Sequence, residues 1–272
     1  MNLAQRIFAF YINSSVHVAM SVVAMTYITI LEYSLPNQWR LLVFVFLATI
    51  TGYNFVKYSK IAGLHHRNLT QSLKAIQIFS AICFIFFIYL GLQLSPSVLL
   101  IIACLGLSTF LYAIPFLKYK NLRSLSGVKV FIVALVWAGM TVLVPVENSE
   151  FPLSVDVVLT FFQRMLIVIA LMFPFEIRDI HYDEANLKTL PQQIGVLNTK
   201  VLGEVIIILC LVLEYFKEVI EMEYVLSTLI FAVLLGAVLI ASKTQQSRYY
   251  SSFWVESLPV VWLTLYVFFE LI

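Results

Sequence analysis

The chain has 272 residues, 61% of them hydrophobic and only 12% charged, with a formal net charge of +2 and a mean hydropathy of +0.95. Soluble globular domains carry about 25% charged residues, so this composition excludes a soluble enzyme and calls for a chain that crosses a bilayer many times. The basic residues form no run interleaved with aromatics, which leaves no footprint for nucleic acid.

A helix needs about 20 apolar residues to cross the hydrocarbon layer. Such runs fall in order at 8–32, 40–61, 73–93, 97–116, 128–146, 155–178, 201–216, 223–241 and 252–271. The expectation is an all-α polytopic membrane protein of nine transmembrane helices, with residues 1–272 forming one domain and short loops between spans. The first run is too long for a signal-peptide core and has no small-residue cleavage site, so it reads as a true span. Asn13 and His17 stand one turn apart on it and are expected to face the bundle interior and bond to a neighbouring helix.

Basic residues test this division, because cytoplasmic loops are enriched in them. With the N-terminus inside, Arg6, Lys57, Lys60, Arg67, Lys74, Lys118, Lys120, Arg123, Lys129, Arg178, Lys188, Lys200, Lys243 and Arg248 fall on the cytoplasmic side. Only Arg40 and Lys217 fall outside, and the C-terminus is expected outside as well. The expected location is a bacterial cytoplasmic membrane. Arg164 lies within the sixth span, where a guanidinium must pair, snorkel or face a wet cavity, and no acid in the outer half of another span presents itself as a partner. Cys83, Cys104 and Cys210 lie within spans at no metal-ligand spacing and read as small buried hydrophobes.

Three cytoplasmic connections hold more polar residues than topology requires. The one after the second span carries Tyr53, Asn54, Lys57, Tyr58, Lys60, His65, His66 and Arg67; the one after the fourth carries Tyr112, Lys118, Lys120, Arg123 and Lys129. The third, after the sixth span, carries Glu176, Arg178, Asp179, Asp183 and Lys188. Glu176, Asp179 and Asp183 fall at i, i+3 and i+7, which places three carboxylates on one helical face. Convergent carboxylates beside cations invite Mg²⁺, a hard ion that takes one or two protein carboxylates and completes its shell with water and phosphate. The implied partner is a phosphorylated molecule. Glu204 and Glu256 sit near the cytoplasmic ends of their helices and border the same mouth.

The stretch from Arg178 to Asp183, followed by Lys188-Thr189-Leu190-Pro191 and Gly195, resembles the second aspartate-rich motif of the UbiA superfamily of intramembrane prenyltransferases, close to D-x-x-D-x-x-x-D and then T-L-P-x-x-x-G. Glu176 stands at the first acidic position. Tyr112-Ala113-Ile114-Pro115-Phe116-Leu117-Lys118 is similar to the family's Y-x-x-P-x-x-K segment, and nine helices with an inside N-terminus match its architecture over nearly the whole chain. The resemblance implies a Mg²⁺-dependent enzyme that ionises a prenyl diphosphate in a central cavity and passes the allylic cation to a lipophilic acceptor. It implies Glu176, Asp179 and Asp183 as metal ligands, with Asp179 and Asp183 catalytic. It also implies Lys118 and Lys188 as diphosphate contacts and Tyr112 as a cavity-lining residue.

The family's first motif, N-D-x-x-D-x-x-x-D, should fall at Asn54, but Phe55, Tyr58 and Ala62 stand where its acids belong. The first 146 residues contain one acid, Glu32, on the other side of the membrane. Two readings are open. In the first, Asn54, Lys57, Lys60 and Arg178 help hold the diphosphate, with ammonium charges replacing the lost metal. In the second, the chain is a catalytically inactive relative that binds a lipid or prenyl ligand or serves as an assembly partner.

Overall fold

A computed structural model describes residues 2–58, 73–114, 127–181 and 188–272. Lys60, Lys118 and Asp183, together with His65, His66, Arg67, Lys120 and Arg123, lie outside the described residues. Every regular element among the described residues is helical. Among the described residues, eight helices are long and apolar enough to cross a membrane, and a bent pair at the N-terminus makes a ninth if it counts as one span. The chain is an integral membrane protein.

The first run is two helices, α1 (Leu3–Asn13) and α2 (Val16–Glu32). They are bent by 53° around Ser15, whose φ of 65° is left-handed. There follow α3 (Trp39–Tyr58), α4 (Leu73–Gly91), α5 (Pro96–Ala113) and α6 (Val128–Ala138), which runs through a π-turn (Gly139–Leu143) into α7 (Val144–Asn148). The rest are α8 (Val155–Asp179), α9 (Leu190–Glu214), α10 (Met222–Ala241) and α11 (Glu256–Glu270), the last entered through a π-turn (Tyr250–Val255). Ser95 and Ser154 start α5 and α8, each hydroxyl accepting from the backbone N–H three residues on.

The seventh span differs from the expected 201–216, because helix begins eleven residues earlier, at Leu190. Pro191 occupies the first turn, where a missing N–H costs nothing. Gly195 then interrupts the helix at φ 83°, a conformation that strains any residue with a Cβ. Polar Gln192, Gln193, Asn198 and Lys200 hide this stretch from a hydropathy reading.

Sequence neighbours are spatial neighbours: α2 packs on α3, α3 on α4, α5 on α6, α6 on α8, α8 on α9, α9 on α10, and α10 on α11. α11 then returns to α2 and closes the bundle. α8 is central, with 61% of its apolar window buried, whereas α4, at 11%, faces lipid. Gly203 lets α9 approach closely, since a Cβ there would strike Leu239 and come 2.9 Å from Phe173.

At the end of the bundle opposite the cation-rich loops, Lys217 joins three helices. Its Nζ lies 2.6 Å from Glu32 of α2 and 2.7 Å from Glu214 of α9. Glu32 also accepts from Thr160 of α8 at 2.8 Å, and Glu214 from Gln163 at 2.9 Å. Asp156 accepts from the N–H groups of Glu218 and Val219 and so fixes the turn that carries Lys217. Lys217 is therefore a buried partner of two acids. Arg164 is buried beside this group and, among the described residues, pairs with no carboxylate. It donates to the Met25 carbonyl at 2.5 Å and to Thr29 at 3.2 Å, and its guanidinium lies 5.1 Å from the Trp262 ring centroid.

Burial alone would push the Lys217 ammonium down, but Glu32 and Glu214 more than offset it and hold it above the usual lysine range. Its contribution to stability is therefore complete below the unfolded lysine pKa of about 10.4 and disappears as pH rises through the higher folded value. Lys217→Met leaves two buried carboxylates without their cation, and thermal unfolding in detergent is expected to show a loss of about 3–5 kcal/mol. A variant as stable as the parent would mean that the triad holds nothing together.

Candidate functional site

The site lies at the cation-rich end and starts from the break in the first span. The break leaves carbonyls at Asn13 and Ser14 without helical partners, and the apolar surroundings make that costly unless side chains answer them. The last turn of α3 does so. Asn54 donates to the Ser14 carbonyl at 3.0 Å and to Ser80 at 2.8 Å, and accepts from Ser15 at 2.8 Å. Tyr58 donates to the Asn13 carbonyl at 2.7 Å, and Lys57 to the same oxygen at 3.3 Å. Residues at the place of the first aspartate-rich motif thus clamp a helix break. Asn54 is buried with both polar atoms engaged, while Lys57 keeps spare donors.

The end of α8 supplies the second part. Glu176 is buried and forms an ion pair with Lys129 of α6 at 2.5 Å. Arg178 grips Asp179 through two bonds, Nε to Oδ1 at 2.7 Å and Nη2 to Oδ2 at 3.0 Å, and stacks on Phe175. α8 ends at Asp179, with a turn at Ile180 and His181, and Asp183 lies outside the described residues. Glu176 is turned inward and Asp179 is half-buried. Among the described residues no three His, Cys, Asp or Glu side chains form a metal site.

Aromatic residues lie above these charges. Tyr53 accepts from the Trp137 indole at 2.9 Å and is within electrostatic reach of Tyr112 and Glu256. Tyr112 is buried at the end of α5. Lys188 takes a left-handed φ of 43° just before the start of α9, where the Thr189 N–H donates to Gln192 at 3.1 Å. Thr199 closes the turn after Gly195 by donating to its carbonyl at 2.9 Å. The T-L-P-x-x-x-G segment is thus a helix start followed by a glycine hinge.

α11 completes the arrangement. Glu256, its first residue, lies within electrostatic reach of Lys57 and Arg178, so helices distant in sequence converge on one mouth. His17 holds the turn before it: Nε2 donates to the Phe253 carbonyl at 2.9 Å, which leaves Nδ1 to accept from Tyr11 at 2.8 Å. Of the expected site residues, Lys57, Arg178 and Asp179 come together here, Glu176 sits behind them on Lys129, and Asn54 turns away into the clamp. Position along the chain puts Glu256 at the border of the mouth, but nothing local in the sequence marks it as central.

No family sequence model matches the chain, and neither does any curated protein. Solved structures do. A UbiA homolog from Aeropyrum pernix K1 superposes with a TM-score of 0.66 at 13% identity, covering 94% of this chain and 99% of that one. The chain has the UbiA-like fold. A UbiA homolog from Archaeoglobus fulgidus bound to GPP and Mg²⁺ gives 0.64 at 10% identity, covering 97% of this chain and 99% of that one. A digeranylgeranylglyceryl phosphate synthase gives 0.58 at 16% identity, covering 97% and 98%.

A clamp and a ligand contact respond differently to mutation. Asn54→Leu removes three hydrogen bonds at the break and is expected to cost about 1–3 kcal/mol. The loss should be the same with and without Mg²⁺ and geranyl diphosphate. A loss confined to the ligand-bound protein would assign Asn54 to the ligand instead.

Proposed function

We propose that this protein is a UbiA-family prenyltransferase, which moves a prenyl group from a prenyl diphosphate to a lipophilic acceptor and binds the diphosphate at the cation-rich end. The observation that carries this reading is the meeting of Lys57 of α3 with Arg178 and Asp179 of α8. They meet at the end of a bundle whose fold is that of a protein bound to GPP and Mg²⁺. The distribution of cations supports a mouth that opens to the cytoplasm.

The residues suit one Mg²⁺ better than two. Asp179 is half-buried and, among the described residues, pairs with its neighbour Arg178, a partner it can exchange for a metal, and Asp183 is the second ligand proposed from the sequence. At the first-motif position Asn54 is engaged in the clamp, and no acid accompanies it. When bound, the ion would neutralise charge on the departing diphosphate.

The chain's own residues do the rest. Lys57 and Arg178 offer fixed charges to the phosphate oxygens, as Lys118 and Lys188 are also proposed to do. Tyr53, Trp137 and Tyr112 present aromatic surface beside the place where the allylic cation would form, and the apolar helices behind them keep water from quenching it. A second reading, a non-catalytic binder of a prenyl or lipid headgroup, draws support from the conversion of the first motif into a clamp.

The thermal stability of the detergent-purified protein with geranyl diphosphate, with and without Mg²⁺, tests the proposal. A ligand at 100 times its Kd adds about 2.7 kcal/mol. The expected result is a Mg²⁺-dependent rise that Asp179→Asn with Asp183→Asn abolishes. A rise that ignores both the metal and the two aspartates would favour the non-catalytic binder, and the absence of any rise would remove prenyl diphosphate as the ligand.

A further inference from the structure

Glu256 is held in place from two sides. The π-turn before it is tied to α8 by Ser251 and Gln246, which donate to the Pro174 carbonyl at 3.3 and 3.0 Å. It is tied to α2 by His17 on the Phe253 carbonyl and by Ser21, which donates to the carbonyl of Glu256 itself. A π-turn inserts one residue and rotates the remainder of the helix by about 100°, so the direction of the Glu256 side chain is a built feature of the fold.

The carboxylate at the end of that side chain makes no hydrogen bond to any described residue. It lies deep in the bundle yet keeps some accessible surface. The charged groups that act on it are Lys57 and Arg178, and those that act on Lys57 are Glu256 and Arg178. Lys57 and Glu256 nevertheless form no ion pair, and the Lys57 ammonium makes a single 3.3 Å bond although it has three donors to offer. Opposite charges thus lie within electrostatic reach of each other in an apolar bundle, and among the described residues neither is paired.

The described carboxylates near these cations answer them unequally. Glu176 and Asp179 each contact a cation directly. Glu256 answers Lys57 and Arg178 without contact and, among the described residues, no second carboxylate acts on it, so it is poorly placed to share a metal.

We propose that Glu256 is a built-in counter-ion of the diphosphate site, which neutralises Lys57 and Arg178 when the site is empty and makes headgroup binding depend on a metal cation brought with the ligand. This rests on the anion site proposed above. Glu256 is a positioning residue in this scheme: it sets the charge presented by Lys57 and Arg178 without touching the reacting carbon.

The test is calorimetric binding of inorganic pyrophosphate and of geranyl diphosphate to the purified full chain, with Mg²⁺ and with EDTA, in the parent, Glu256→Gln, Glu256→Asp and the double variant Lys57→Gln with Glu256→Gln. Glu256→Gln should bind both ligands about tenfold more tightly in EDTA, the effect of removing one unit charge about 12 Å away at an effective dielectric of about 20, and should narrow the gain from Mg²⁺. Glu256→Asp should behave as the parent, and the double variant should restore its metal dependence. Weaker binding by Glu256→Gln in Mg²⁺ alone would make Glu256 a metal ligand and overturn the proposal. Unchanged binding would overturn it while leaving the anion site standing, whereas no binding by parent or variant would overturn both. Each variant's unliganded melting temperature is recorded, and binding is read only from samples that melt as cooperatively as the parent.

Discussion

Within a bilayer, a polar group or charge that turns away from water must find its partner inside the protein, and the bundle is arranged around a few places where it does. The most consequential is the break between α1 and α2. Once Ser15 adopts a left-handed conformation, the carbonyls of Asn13 and Ser14 need donors, and the last turn of α3 must lie against the break to provide them. That contact brings Lys57 to the mouth of the bundle.

The two ends of the molecule treat charge in opposite ways. At one end Lys217 pairs directly with two carboxylates that also accept hydrogen bonds, and these contacts join three helices, although Glu32 Oε2 has no partner among the described residues. At the other end the contacts are looser: among the described residues Asp179 pairs with its neighbour Arg178, and Lys57 and Glu256 lie within electrostatic reach without an ion pair. Direct pairing of buried charges suits a structural lock, because any exchange would expose a buried charge. Partial satisfaction suits a binding site, because a ligand can complete what the protein leaves open.

Much of this was legible from residue order. The spans expected from hydropathy lie where helices stand, and the acidic cluster with its T-L-P-x-x-x-G continuation lies at the end of α8 and the start of α9. The failures have identifiable causes. Hydropathy averages over a window, so it passed straight through the break at Ser15, where the flanking residues remain apolar, and it missed the start of α9, where they are polar. Helical spacing put Glu176, Asp179 and Asp183 on one face; Glu176 and Asp179 stand in the last turn of α8, and Asp183 lies outside the described residues.

By itself, the sequence determined that the chain crosses a membrane about nine times, which end gathers the cations, and that carboxylates meet them there, because these depend on composition and on periodicity along single helices. Only the tertiary structure decided which charge answers which. Lys57 comes within electrostatic reach of Glu256, and Glu32 pairs with Lys217, across nearly 200 residues of chain. Asn54, read from the sequence as a ligand contact, serves a helix break 40 residues away. Periodicity reports which face of a helix a residue occupies. The partner opposite that face depends on how the helices close into a bundle, here on the return of α11 to α2.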